Sequence, residues 1–192
     1  MNKKEIISYL QSIIAIPMLA IAVPLSGIPS IPSITAINNN ITSENSVITT
    51  QEEVARKEKA GLIDVYFKKH DAPLEGYGMK FVIEAEKNGI DWRLLPAIAM
   101  RESTGGKQAC KRVPNSVFGW GSCKISFESI DKSIEIVSKN LGGNNPNTDH
   151  HYADKTTEQI LRKYNSYIKN YPAQVIRIME DISPTKIDTD KK

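Results

Sequence analysis

A carboxylate set into an apolar helical stripe, a tryptophan between two glycines and a pair of cysteines around that tryptophan are the groups in this chain whose spacing could do chemistry. Leu95, Ile98, Ala99 and Glu102 follow the i, i+3, i+4, i+7 rule, which puts Glu102 on the buried stripe of its helix. Thr104-Gly105-Gly106 ends that helix, so the carboxylate lies near the negative end of the macrodipole. Burial and dipole both disfavour the ionised form and are expected to raise the pKa of Glu102. An acid kept protonated near neutral pH can protonate the leaving oxygen of a glycosidic bond, and Glu102 is the candidate general acid. The same pattern also describes an amphipathic helix closed by a partly exposed structural Glu.

Cys110 and Cys123 are the two cysteines of the chain and flank Phe118-Gly119-Trp120-Gly121. In an exported protein two cysteines suggest one disulfide, which would hold the Trp120 loop against the Glu102 helix; two unpaired buried thiols are the alternative. His70, His150 and His151 show no zinc-ligand spacing with the cysteines, so neither metal nor cofactor is expected. No convincing Cys-His or Ser-His set supports acyl transfer or amide cleavage. Trp120 offers a flat face to a sugar ring, or else packs in the core.

The compartment follows from the first residues. After the charged start MNKKE no charged residue occurs from Ile6 to Ser43, and Ile13–Leu25 is the most apolar part. Residues 1–25 are read as a signal peptide, with Ala20-Ile21-Ala22 as a cleavage site, or as an uncleaved membrane anchor; Pro17 and Pro24 weaken the anchor. Either places the folded part outside the cytoplasm. The net charge of +3 fits an acidic wall polymer, and the absence of a basic block argues against nucleic acid.

Helices must position these groups. Residues 26–50, rich in Pro, Ser, Asn and Thr, read as a flexible linker. A Thr50/Glu53 capping box then opens a helix to about Lys69 that Gly61 weakens or breaks. A second helix runs from Tyr77 to Asn88 with Gly89 as its stop, and Asp91 caps the central one. Lys107–Lys124 reads as a loop with at most a short hairpin, followed by a helix from Phe127 to Leu141 and a polar loop, Gly142–Asp154. Thr156 and Gln159 form a capping box for the next helix, and Pro172 opens a last one carrying Val175, Ile178, Met179 and Ile182 inward. Residues 183–192 read as a disordered tail.

The run GIDWRLLPAIAMRES, then FGWG, then KYNSY before a terminal helix resembles the lysozyme-like superfamily of endo-β-N-acetylglucosaminidases and soluble lytic transglycosylases, over about residues 75–182. The resemblance implies a mainly α, lysozyme-like domain at 51–182 with a small irregular or β-hairpin lobe. It implies Glu102 as catalytic acid, with Ser103, Phe118, Gly119, Trp120, Tyr164 and Asn165 against the substrate and the Tyr164 hydroxyl facing Glu102. Ser166-Tyr167 stands where the family has Ala-Gly, and the family's Gly-Leu-Met-Gln segment is replaced by Gly119-Trp120-Gly121. The expected activity is cleavage of a β-1,4 bond in peptidoglycan or a related N-acetylated glycan by a monomer, whether as hydrolase or as lytic transglycosylase. A non-catalytic wall-binding module is the alternative. Glu128, Asp131 and Asp149 are candidates for a second carboxylate, each also readable as a cap or surface charge.

Overall fold

The computed structural model describes residues 39–184, with side chains from Thr50 on, and in that span the chain is mainly helical. The helices are α1 (Asn39–Lys69), α2 (Gly78–Asn88), α3 (Leu94–Ser103), the single turn α4 (Trp120–Cys123), α5 (Ile130–Leu141), the single turn α6 (Asp149–Tyr152), α7 (Thr157–Tyr164) and α8 (Tyr171–Ile182). No strand occurs among the described residues, so the small lobe is irregular rather than a hairpin. The signal or anchor expected at 1–25, most of the linker and most of the tail lie outside the described residues. Among the described residues no helix is long and apolar enough to cross a membrane.

Leu94 to Ala99 presents no polar face, and a helix that is apolar all round must be surrounded by protein. Accordingly Leu94, Leu95, Ala97, Ile98 and Ala99 are all fully buried, and α3 lies against α8 as its main partner. Burying one Leu or Ile contributes roughly 1.5–3 kcal/mol, which makes α3 the axis of the core. Only its last turn, Met100 to Glu102, reaches toward solvent. The expected single stripe is therefore a buried cylinder with a polar end.

Two corrections concern α1. The helix begins at Asn39, inside the stretch read as linker, so Thr50 does not start it. Ser, Thr and Asn sit roughly half a kcal/mol below good helix formers, a deficit that an adjoining formed helix can carry. Nor does Gly61 break it: Ile63 and Phe67 are fully buried just beyond, and their burial outweighs the cost of about 1 kcal/mol for a helical glycine.

Two helix boundaries set by local capping match the reading. Gly89 takes the left-handed conformation (φ 64°) that ends α2. Thr156 and Gln159 form the reciprocal capping box of α7. The expected Asp91 cap is different: Arg93 occupies the cap position, and Asp91 Oδ1 accepts from the Arg93 N–H at 2.9 Å. The Arg93 guanidinium, 1% exposed, also donates to Asp91 at 2.6 Å and to the Ser183 carbonyl at 2.8 Å, which ties the start of α3 to the end of α8. The helix expected from Phe127 starts later, at Ile130, because the Ser129 side chain accepts from the Lys132 N–H and fixes the boundary there.

The polar loop 142–154 is held rather than loose. Asn140 Oδ1 accepts from Asn145 Nδ2 at 2.9 Å and from Thr148 Oγ1 at 2.7 Å. These bonds set up the α6 turn and carry Tyr152 into a buried position.

Candidate active site

Glu102 occupies the last turn of α3, half-buried, and the chain leaves the helix at once because Thr104 adopts the left-handed conformation (φ 53°). Its Oε1 accepts a 2.6 Å hydrogen bond from the Tyr171 hydroxyl. Tyr171 is the first residue of α8, fully buried, with its ring stacked on that of Tyr164 at 5.9 Å and 12°. Burial, and then the bond to Glu102, push the Tyr171 phenol far above its ordinary range, and burial does the same for Tyr164 with the Glu102 charge behind it. Both phenols therefore act as hydrogen-bond donors and not as bases.

Ser103 is 2% exposed. Its hydroxyl donates to the Val117 carbonyl at 2.7 Å and accepts from the Gly106 N–H at 2.9 Å. The side chain next to Glu102 is thus engaged in holding the loop onto the end of α3.

That loop brings Phe118, Gly119 and Trp120 across the front of Glu102. Phe118 does not line the cleft: its ring points into the core, fully buried against Phe81, and its carbonyl accepts from the Tyr164 hydroxyl at 2.5 Å. The Tyr164 hydroxyl was expected to face Glu102; the structure gives that contact to Tyr171. At Gly119 the backbone is left-handed (φ 62°), and a Cβ there would stand 3.5 Å from Glu102 Oε2. Glycine serves the backbone angle, while the distance to the carboxylate is one of ordinary contact.

Past Trp120 the chain makes a left-handed turn, with Gly121, Ser122 and Cys123 at φ 63°, 57° and 57°. Ser122 and Cys123 are not glycine, and each such residue costs roughly 1–2 kcal/mol. The Cys110–Cys123 disulfide, with Cα atoms 5.7 Å apart, fastens this turn to the loop that leaves α3, as the sequence led one to expect.

Between these elements lies a cleft of about 740 Å³, which reaches Glu102, Gly119, Trp120, Tyr152, Tyr164 and Asn165. One wall is aromatic: the Trp120 ring is 5.7 Å from Tyr164 and 6.5 Å from Tyr152. Tyr167, 98% exposed, stands at the rim. Asn165 lines the cleft too, but its Oδ1 accepts from the Ile168 N–H at 3.1 Å and shapes the turn after α7. Among the lining residues Glu102 is the only carboxylate, and no Lys, Arg or His joins it. Glu128, Asp131 and Asp149 are exposed and do not line the cleft. No group of His, Cys, Asp and Glu suited to a metal occurs among the described residues.

Three residues of the site escaped the sequence reading. Tyr171 is hidden behind Pro172, which drew attention to the helix start rather than to the ring beside it. Tyr152 sits in what reads as a polar loop. Ser116 lines the cleft with a fully buried hydroxyl that has no hydrogen-bond partner among the described residues, and nothing in its local sequence marks it. Comparison of the chain with protein-family models, with curated proteins and with solved structures finds no match.

Proposed function

We propose that the cleft binds an N-acetylated glycan of the peptidoglycan type and cleaves its β-1,4 glycosidic bond, with Glu102 as the acid. The observation that carries this reading is the setting of Glu102. It is the single carboxylate in the lining of an aromatic, otherwise uncharged cleft, with Oε1 held by Tyr171 and Oε2 left beside Gly119. Aromatic faces and neutral polar groups suit a pyranose chain, and a lone carboxyl group among them suits proton delivery to a glycosidic oxygen.

The single acid also bears on the route. Hydrolysis with inversion or retention uses two carboxyl groups, roughly 6.5–9.5 Å or 5–5.5 Å apart. With one, Glu102 protonates the leaving oxygen, and the resulting carboxylate then accepts the proton of the attacking group. A hydroxyl of the same sugar is the nucleophile that needs no second carboxylate, which makes the lytic transglycosylase route the better fit. Trp120 and Tyr152 would supply stacking area for the rings.

Product mass from digested peptidoglycan tests this directly. Anhydro-sugar ends are expected; reducing ends would replace the transglycosylase route by hydrolysis, and retention of glycan without products would leave a binding module. Glu102→Gln keeps the shape but cannot deliver a proton, so turnover should fall by about 10²–10⁴-fold. A variant that keeps more than about a tenth of the parent rate removes Glu102 from the general-acid role.

A further inference from the structure

A second hollow, of about 450 Å³, lies where α6 meets α7, with His150, His151, Lys155, Gln159, Arg162 and Lys163 as its lining. Three of these are permanent cations, two are imidazoles and none is an acid, although the whole chain has a net charge of only +3. Two nearby carboxylates offset part of that charge: Glu158 pairs with Arg162 at 2.5 Å, and Asp149 lies 3.6 Å from His150. Lys155 and Lys163 make no ion pair among the described residues. Gln159 has its Oε1 taken by the Thr156 N–H in the capping box, so its amide NH₂ is what it can offer a ligand. Donors and positive charge therefore dominate the walls.

His151 registers that crowding. Partial burial, then the charges of His150 and Lys163, hold its imidazole below the ordinary range. A negative group in the hollow would relieve the repulsion.

Position ties this hollow to the cleft. Tyr152 and Tyr164 line the cleft, and their chain neighbours His151 and Lys163 line the hollow. The rings run in series, from Trp120 to Tyr152 at 6.5 Å and from Tyr152 to His151 at 6.2 Å. A substituent on a strand stacked along Trp120 and Tyr152 would thus meet the basic walls next.

We propose that the hollow between α6 and α7 is an oxyanion subsite, which takes a carboxylate or phosphate group carried as a substituent on the glycan strand. The assignment to the strand rests on the glycan reading of the cleft; the anion site itself does not. A peptide stem ending in a carboxylate and a phosphodiester-bearing wall polymer both present this chemistry.

The test uses the full chain and two kinds of probe. Inorganic phosphate is titrated while the His151 imidazole resonances are followed by NMR, with sodium chloride at matched ionic strength as control. Saturable movement with phosphate alone is expected, and it should be largely lost in the double variant Lys155→Gln/Lys163→Gln, whose circular dichroism shows whether it has folded. Movement no larger than with chloride, or unchanged in the folded double variant, overturns the subsite. Retention is then compared on glycan strands with intact peptide stems, strands bearing phosphodiester polymer, and stripped strands. The double variant should lose roughly threefold to tenfold on charged strands, as befits one half-buried and one exposed cation, and nothing on stripped ones. Whichever charged strand responds identifies the group, while equal loss on stripped strands, or no loss anywhere, removes the subsite from the strand. If the parent neither holds nor cuts any strand, the glycan reading falls, and the phosphate titration still judges the hollow.

Discussion

Replacing Tyr171 by Phe removes one oxygen atom and leaves a fully buried ring in place on Tyr164, so it isolates the 2.6 Å hydrogen bond to Glu102. A hydrogen bond to a charged group contributes about 1.5–3 kcal/mol. If Tyr171 aims the carboxyl group for proton delivery, that energy is lost in the transition state and kcat falls by about 10- to 150-fold, at about 1.4 kcal/mol per tenfold, with KM nearly unchanged. If the bond is only structural, the same energy appears as a lower unfolding free energy while kcat survives. Turnover on peptidoglycan and urea unfolding, measured side by side, separate the two. The Tyr171 phenol stays protonated far above neutrality, so the pH dependence of the parent rate should show no limb that disappears in the variant. A variant with kcat within twofold of the parent and reduced stability would refute the positioning role.

Cys110→Ser combined with Cys123→Ser opens a loop of sequence separation 13 and should lower the unfolding free energy by about 3 kcal/mol, read from urea unfolding; a change under about 0.5 kcal/mol would mean that loop closure is not what the bridge provides. Gly119→Ala asks for a left-handed alanine, at a cost of about 1 kcal/mol, and puts a methyl 3.5 Å from Glu102 Oε2, so glycan turnover should drop well beyond the stability change. Unaltered turnover would show that Oε2 is not the working oxygen. Burial alone would raise the Glu86 pKa, but the hydrogen bonds and charges of Arg56 and Lys59 outweigh it and hold the group below 4.5. A depressed folded pKa contributes stability above the unfolded value that is lost as pH falls through the folded one. Glu86→Gln should therefore lower Tm at pH 7, with variant and parent converging toward pH 3; an equal gap at both pH values contradicts the assignment.

What the sequence made legible was set by short-range rules. Gly89 stops α2 and Thr156 with Gln159 opens α7 because a cap needs only its own turn, and Glu102 falls at the end of α3 because the helical period and the glycines after it are both local. The cysteine pair was readable from the count and the expectation of export. Tyr171 and the buried Arg93 were not, since each acquires its role from an element far away in the chain, and Ser116 was not, since nothing in its local sequence marks a buried hydroxyl. Phe118 shows the limit inside a motif: FGWG indicates a loop at the cleft, yet the division of labour between a core ring at Phe118 and a cleft ring at Trp120 depends on how the loop enters, which no periodicity encodes. The fate of Gly61 was decided by packing over propensity, and the start of α1 lies beyond what its own residue propensities indicate.

The Ser103 hydroxyl has a mechanical consequence. It couples the backbone at Gly106 to the backbone at Val117 through the residue beside Glu102, and Phe118 is in turn pinned by Tyr164, so the edge of the cleft that carries the acid is stiff. Elsewhere on the rim Tyr167 stands almost wholly in solvent, and the turn from Gly121 to Lys124 is exposed and fastened to the loop after α3 by the disulfide. Under the proposed glycan reading, a ligand would meet a fixed wall beside Glu102 and, at Tyr167, a ring that little protein packs against. Adjustment to that ligand would fall to Tyr167, and the geometry around Glu102 would be kept.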